Sequence, residues 1–284
     1  MWEFLQQPAG FDIGDTGWLS FDATLPLWHA LLVGLGNTLR VSLPALVAAT
    51  LLGTVLALMR RSTVGPWALL SGALINTCRN VPLLVQLLMW YFLLLEVLPD
   101  VTEAWRPLEG AWLSKSGLAI PWWQHTPEGW QWSVPRFEGF GLEGGSTLTP
   151  EFLAVFLALS IYSAAFVAEV VRSGLEAVPA SLPEAARTLG ARPAQVFGRV
   201  VLPQALRTMV PALTNQYLNI IKNSSLAVAV GYPDLVSVGN TAINQTGRAV
   251  ECISVMMLVY LGLSLLTAAV MARYNRRYAV EARA

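Results

Sequence analysis

Apolar residues along this 284-residue chain gather in five long blocks, and the stretches between them hold most of the charges and turn formers. The first 26 residues are polar, acidic and turn-rich, and predict a short extramembrane arm. From Leu27 the pattern is amphipathic. From Val41 to Met59 no charge occurs in 19 residues, enough for a helix to cross a bilayer, and Arg60 and Arg61 close the run. The next block, Trp67 to Leu98, is too long for one simple crossing and has Arg79, Asn80, Val81 and Pro82 in its middle. Pro82 lacks an amide hydrogen and biases Val81 away from helix, so a kinked or interrupted helix is expected there. Residues 99–150 form a Gly- and Pro-rich insert with six of the chain's eleven tryptophans: Trp105, Trp112, Trp122, Trp123, Trp130 and Trp132. Tryptophan prefers the membrane–water interface, which reads as a loop lying on the headgroups; a docking surface for an extracytoplasmic partner is the alternative. The third span runs from Phe152 to Val171, with Glu169 and Arg172 read as a structural pair near its end. The fourth, Leu206 to Ile221, is broken by Pro211 and ends at Lys222, Asn223, Ser224 and Ser225. Gly231 to Asp234 then turn the chain into a polar loop, 232–250, before the fifth span, Cys252 to Met271. The divisions are an arm (1–26), two spans (27–98), the insert (99–150), a membrane core (151–277) and a tail (278–284).

One polar stretch, Ser181 to Pro203, stands apart. Ser181 with Glu184 three residues later has the form of a capping box, and Pro183 suits a first helical turn. Gly190 is placed to end that helix in a left-handed conformation. Pro193 starts a second short helix, which Pro203 is expected to stop. The first runs from Leu182 to Leu189, about 12 Å at the usual rise. Two stubby helices joined at a glycine make a knob suited to docking into a groove rather than to chemistry.

Composition fits the pattern: 55% of residues are hydrophobic and 13% charged, where soluble domains carry about a quarter charged residues. This is an integral membrane protein. The net charge is zero, so there is no electrostatic case for nucleic acid. Cys78 and Cys252 lie in apolar runs, where packing is the default role and no disulfide is inferred. His29 and His125 are far apart without ligand spacing, so no metal site is expected. The acidic N-terminus lacks the basic start of a signal peptide, and no cleavage is expected. Basic residues cluster at 60–61, at 172–207 and at 273–283, whereas 1–26, 99–150 and 232–250 hold few. The positive-inside rule then puts the N-terminus outside and the C-terminus and knob in the cytoplasm.

The knob also carries a resemblance. Glu184, Ala185 and Ala186, then Gly190, Val200, Leu202 and Pro203, at that spacing, resemble the EAA loop of ABC-importer membrane subunits, with Val200 for the usual isoleucine. The resemblance implies an all-α, type I importer permease of about five spans whose coupling helices, Leu189 included, dock into a cytoplasmic ATPase. Arg79 to Gln86 resemble the Arg-Gly-Thr-Pro-Leu-Leu-Val-Gln motif of permeases for polar amino acids. Asn215-Gln216 and Ile221 to Leu226 match further segments of that family, and the long insert resembles its general L-amino acid branch. The implied partners are an ATPase dimer, a second permease subunit (the same or a related chain) and a periplasmic substrate-binding protein, at a bacterial inner membrane. No Walker loop is present, so ATP belongs to another subunit and no catalytic residue is expected here.

The substrate site follows from physics and resemblance together. Polar residues at membrane depth are costly and usually face an interior or aqueous path, and broken helices supply free backbone groups near the midplane of transporters. Arg79, Asn80, Lys222, Asn223 and Ser224 stand at such breaks. The family implies that Val81, Val85, Lys222, Asn223 and Leu226 line the site. Val81 replaces a common threonine, and Asn223 an aspartate found with cationic substrates. Without that carboxylate a cationic substrate loses a partner worth about 1.5–3 kcal/mol, so neutral, acidic or broad-range amino acids are expected. The alternative for Arg79 and Lys222 is that they snorkel or hold the fold. Rival classes are an ion-coupled secondary transporter or channel, a membrane-embedded enzyme built on Lys222, Ser224 and Ser225, and an assembly scaffold.

Overall fold

The computed structural model describes all residues except Met1, Trp18, Thr63, Pro127, Glu128, Phe140 and 281–284, so the end of the tail 278–284 lies outside the described residues. Its frame is two long helices packed side by side, α1 (Leu27–Arg60) and α4 (Pro150–Glu176). Their seam is made of small residues. Ala45, Ala49 and Ala57 of α1 and Ala154, Ala158, Ala165 and Ala168 of α4 are all buried. A Cβ on Gly53 would stand 2.7 Å from the Ala164 carbonyl oxygen and from Val167. Small residues let backbones approach closely where no hydrophobic effect drives helices together in lipid.

Both helices run in the same direction. Arg40 lies 5.2 Å from the Phe152 ring near the start of α4, and Arg60 pairs with Glu169 at 2.7 Å near its end. α4 is about 40 Å long at the helical rise. The insert enters one end of it and the knob leaves the other.

The second block is two helices, α2 (Gly65–Asn80) and α3 (Leu83–Val97), bent by 106° at the expected place. Short helices α5 (Ser181–Thr188) and α6 (Pro193–Val196) form the knob. Then come α7 (Leu202–Asn223), a 3₁₀ segment (Ser224–Val230), α8 (Leu235–Thr246) and α9 (Ala249–Val280). Among the described residues three helices are long and apolar enough to span a membrane alone, and counting each bent pair as one span gives up to five.

Several expectations are corrected. Pro211 does not break α7; it sits inside a continuous helix, where neighbouring helices in a packed bundle hold the turn. Pro203 does not stop the knob's second helix either. It occupies the first turn of α7, and a π-turn over Phe197–Val201 widens the chain where proline cannot donate. Residues 232–250 are not a loop. The Asp234 carboxylate accepts the Ser237 amide at 2.9 Å and caps α8, which ends at Gly247 (φ +67°).

The all-helical reading holds for the membrane part, and the insert adds short antiparallel strands. β1 (Trp112–Ser114), β2 (Gly117–Ile120) and β7 (Ser146–Leu148) form one sheet in the order β1-β2-β7. The hairpin β3 (Trp122–Thr126) and β4 (Gly129–Ser133) pairs Trp123 with Trp132, and β5 (Arg136–Glu138) pairs with β6 (Gly141–Glu143). The N-terminal arm is not free. Phe4 and Ala9 are buried with Leu27 and Leu31 of α1, Leu235 and Val238 of α8, and Cys252 of α9.

Candidate functional site

The α2–α3 break is built by Pro82. Val81 is extended (φ −93°, ψ 127°), as a residue before proline prefers, and α2 ends with carbonyls that have no helical partner. Gln86 satisfies two of them. Its Nε2 donates to the Cys78 oxygen at 2.8 Å and the Val81 oxygen at 2.9 Å, and the side chain is buried.

A second break follows α7. The Ser224 hydroxyl donates to Ile221 and that of Ser225 to Lys222, each at 2.7 Å, as the helix tightens into the 3₁₀ segment. Gly231 at φ +78° turns the chain, and the two halves bend by 54°. The two breaks meet. Asn223 and Leu226 close on Leu83 and Leu87 of α3 and on Val155 and Leu159 of α4.

Of the expected substrate residues, Asn223 and Leu226 therefore face this seam. Ser224 is wholly buried, its hydroxyl turned to its own helix. Val81 is half-buried beside the seam, and Asn80 and Val85 are exposed. Arg79 is exposed and lies 5.4 Å from the Phe166 ring of α4. Lys222 and Ser225 point elsewhere, into a hollow of about 520 Å³ bounded by Val236, Met256 and Tyr260. The expected site is thus split into a seam and a separate hollow around Lys222, because successive residues of a tight helix leave it in different directions.

Sequence reasoning missed the role of Gln86 in holding the break, although this residue ends the Arg79–Gln86 motif. It also missed a buried polar cluster on α1. Asn37 donates to the carbonyls of Asp15 (2.7 Å) and Pro233 (3.0 Å), the Tyr232 hydroxyl donates to the Asn37 carbonyl (3.2 Å), and Thr38 accepts the Leu235 amide (3.1 Å). Arg40 binds both oxygens of Asp15, at 2.7 and 2.9 Å. Asn37, Thr38 and Arg40 before a charge-free run were a usable signal; nothing marked Asp15 as their partner.

At the other end the knob is bare. No residue of α5 is buried, and Leu189 is 88% exposed. The expected capping box at Ser181 and Glu184 does not form, since Ser181 already has helical neighbours and Ala180 is the cap. Gln195 instead accepts the Arg192 amide at 2.9 Å at the start of α6. Gly190 is left-handed (φ +83°), with its amide on the Arg187 carbonyl and that of Ala191 on Ala186, a Schellman turn. Glu184, Ala185 and Ala186 line the outer helix, while Val200, Leu202 and Pro203 are half-buried where the knob joins α7. Glu169 bridges Arg60 and Arg172 (2.8 Å), a structural tie beneath the knob.

The model of the binding-protein-dependent transport system inner membrane component family matches residues 49–280, most of the chain. The chain belongs to that family. It is a membrane permease component with the type I importer fold, and it sits in the inner membrane as that family does. It is 35% identical to the general L-amino acid transport system permease protein AapQ of Rhizobium johnstonii, over 99% of this chain and 84% of that protein. The putative amino-acid ABC transporter permease protein YhdX of Escherichia coli is 37% identical over 99% of this chain and 86% of its own length. A chain from the crystal structure of an amino acid ABC transporter with histidines superposes with a TM-score of 0.64 at 27% identity, covering 87% of this chain and 94% of that one. One from the inward-facing MetNI methionine ABC transporter gives 0.59 at 20% identity over 88% and 96%, a likeness of fold alone.

Proposed function

We propose that this permease moves amino acids into the cytoplasm as part of an ATP-driven importer with a second permease subunit, two ATPase subunits and a periplasmic binding protein. The observation that carries the reading is the knob: two short helices of which α5 buries no residue, with Leu189 projecting, at the opposite end of α4 from the insert. Such a shape has no role inside this chain and suits a groove on a partner. The basic residues at 60–61 and 172–207 share that end, which supports a cytoplasmic knob and a periplasmic arm and insert. An ion-coupled transporter or channel would need no such element.

The substrate is a neutral or acidic amino acid, or a broad range of them, and Asn223 at the seam is the basis for that choice. Among the relatives, a glutamate/aspartate import permease protein of Escherichia coli at 28% identity is in keeping with it, and an arginine transport system permease protein of Bacillus subtilis at 26% is in keeping only with a broad range. The seam is closed by apolar side chains and has no room for an amino acid, so binding requires α3 and the 3₁₀ segment to part. Closure of the ATPases, transmitted through α5 and α6 into α4 and α7, would drive that opening and give alternating access. A substrate shifts such an equilibrium only through different contacts in the two states.

The test is amino-acid uptake into proteoliposomes holding the complete complex. Uptake must require ATP and the ATPase subunits; uptake that persists without them would sink the reading. Asn223→Asp should shift preference toward cationic amino acids, and unchanged selectivity would move the substrate site away from the seam.

A further inference from the structure

A cavity of about 670 Å³ lies under the insert, lined by no residue of either helix break, and nothing in the transport reading uses it. Arg40 and Pro44 of α1, Phe152 and Phe156 of α4, and Trp123 and Trp130 of the β3–β4 hairpin wall it. Its volume is within the range of sites that bury small molecules, about 300–1,000 Å³.

Its level in the membrane follows from the charge pattern. Val41 begins the charge-free run of α1, and Phe152 begins that of α4 directly after Glu151. Pro44 and Phe156 are one turn inside those runs, whereas Arg40 and the hairpin are just outside. The cavity therefore straddles the boundary between hydrocarbon and water. Its floor is apolar. Its rim carries Arg40, only 8% exposed, and tryptophans that remain half-exposed or more, with Trp123 at 54% and Trp130 at 69%. Tryptophan rings favour that depth.

Arg40 supplies the polar contact for the occupant. Asp15 engages only its Nη1 atom, and a guanidinium has five N–H donors, so donors remain for an anion. A free amino acid could turn its carboxylate to Arg40, but its short side chain would leave the floor bare. An anionic group joined to a long hydrocarbon matches both halves.

We propose that the cavity binds one glycerophospholipid of the surrounding bilayer, with an acyl chain on Pro44, Leu153 and Phe156 and its phosphodiester at Arg40. The lipid would complete the packing between the insert and the spans. A second protein chain is the competing occupant, because an exposed aromatic rim also suits a protein contact.

Native mass spectrometry of the full complex after exhaustive detergent exchange tests this. Wild type should keep one phospholipid per chain. Leu153→Trp, which fills the floor, should lower retention about tenfold, a loss of 1.4 kcal/mol in binding. Trp105→Ala, elsewhere in the insert, should leave it unchanged. Because Leu153→Trp can perturb packing, a second arm uses Trp130→benzoylphenylalanine in the otherwise unaltered complex, irradiated after the same wash. An adduct of phospholipid mass supports the site. Cross-links to protein alone, no lipid after the wash, or equal retention in Leu153→Trp and wild type overturn it.

Discussion

Gln86 sits on the first turn of α3, and its amide holds the broken end of α2 by hydrogen bonds to Cys78 and Val81. A buried carbonyl that loses its donor costs its full desolvation penalty, so Gln86→Met should destabilise the protein by about 1–3 kcal/mol. A lowered unfolding temperature in detergent would register it; an unchanged one would mean that water or a neighbour takes over both carbonyls. Asp15 is the counterpart at the arm. Its side chain and that of Arg40 are 13% and 9% exposed, and breaking a buried pair by removing one partner costs about 3–5 kcal/mol. Asp15→Ala should therefore release the arm from α1 and speed its cleavage in limited proteolysis. Cleavage at the wild-type rate would assign the arm's attachment to Phe4 and its apolar neighbours instead.

Among the elements, the α1–α4 seam is the least tolerant of added volume. Gly53→Val would place atoms within 2.7 Å of the Ala164 backbone and Val167, and overpacking of this kind costs about 1–3 kcal/mol. Gly72 on α2 is the control, since a Cβ there meets nothing within 4 Å. Gly72→Ala should be neutral or slightly stabilising, as alanine favours helix over glycine by about 0.5–1 kcal/mol. Thermal unfolding of both variants separates the cases, and equal effects would mean that the seam relaxes around Gly53. The breaks behave differently from the seam. Pro82 breaks its helix because Val81 takes up the extended conformation, whereas Pro203 falls in a first turn and Pro211 lies in a bundle that holds its helix together.

For the whole molecule, the contrast is between a tightly packed α1–α4 frame and a knob whose outer helix, α5, buries nothing. Leu189 is 88% exposed, so Leu189→Asp should leave the unfolding temperature unchanged while abolishing ATP-driven uptake in the reconstituted complex. Normal uptake would show that α5 is not the contact that transmits ATPase closure. Hydropathy and local stereochemistry are short-range properties, and they were legible from the chain: five apolar blocks, the interruption at Val81 and Pro82, the left-handed Gly190 and the two-helix knob. The Asp234 cap is equally local, and it makes a helix of a stretch whose polarity predicts a loop. Which faces meet is a long-range outcome that the chain does not spell out. Only the tertiary structure joined Asp15 to Arg40 and Pro233 to Asn37, folded the tryptophans into hairpins over α1 and α4, and brought the α3 start against Asn223. It also separated Lys222 from Asn223, adjacent in sequence, because the helix carries neighbouring side chains to different surfaces. Composition fixes which blocks are apolar enough to enter the membrane, and local stereochemistry fixes the break at Val81 and Pro82, since each depends on its own segment alone. The tertiary structure decided which bends face one another, since that depends on side chains far apart in the chain packing together.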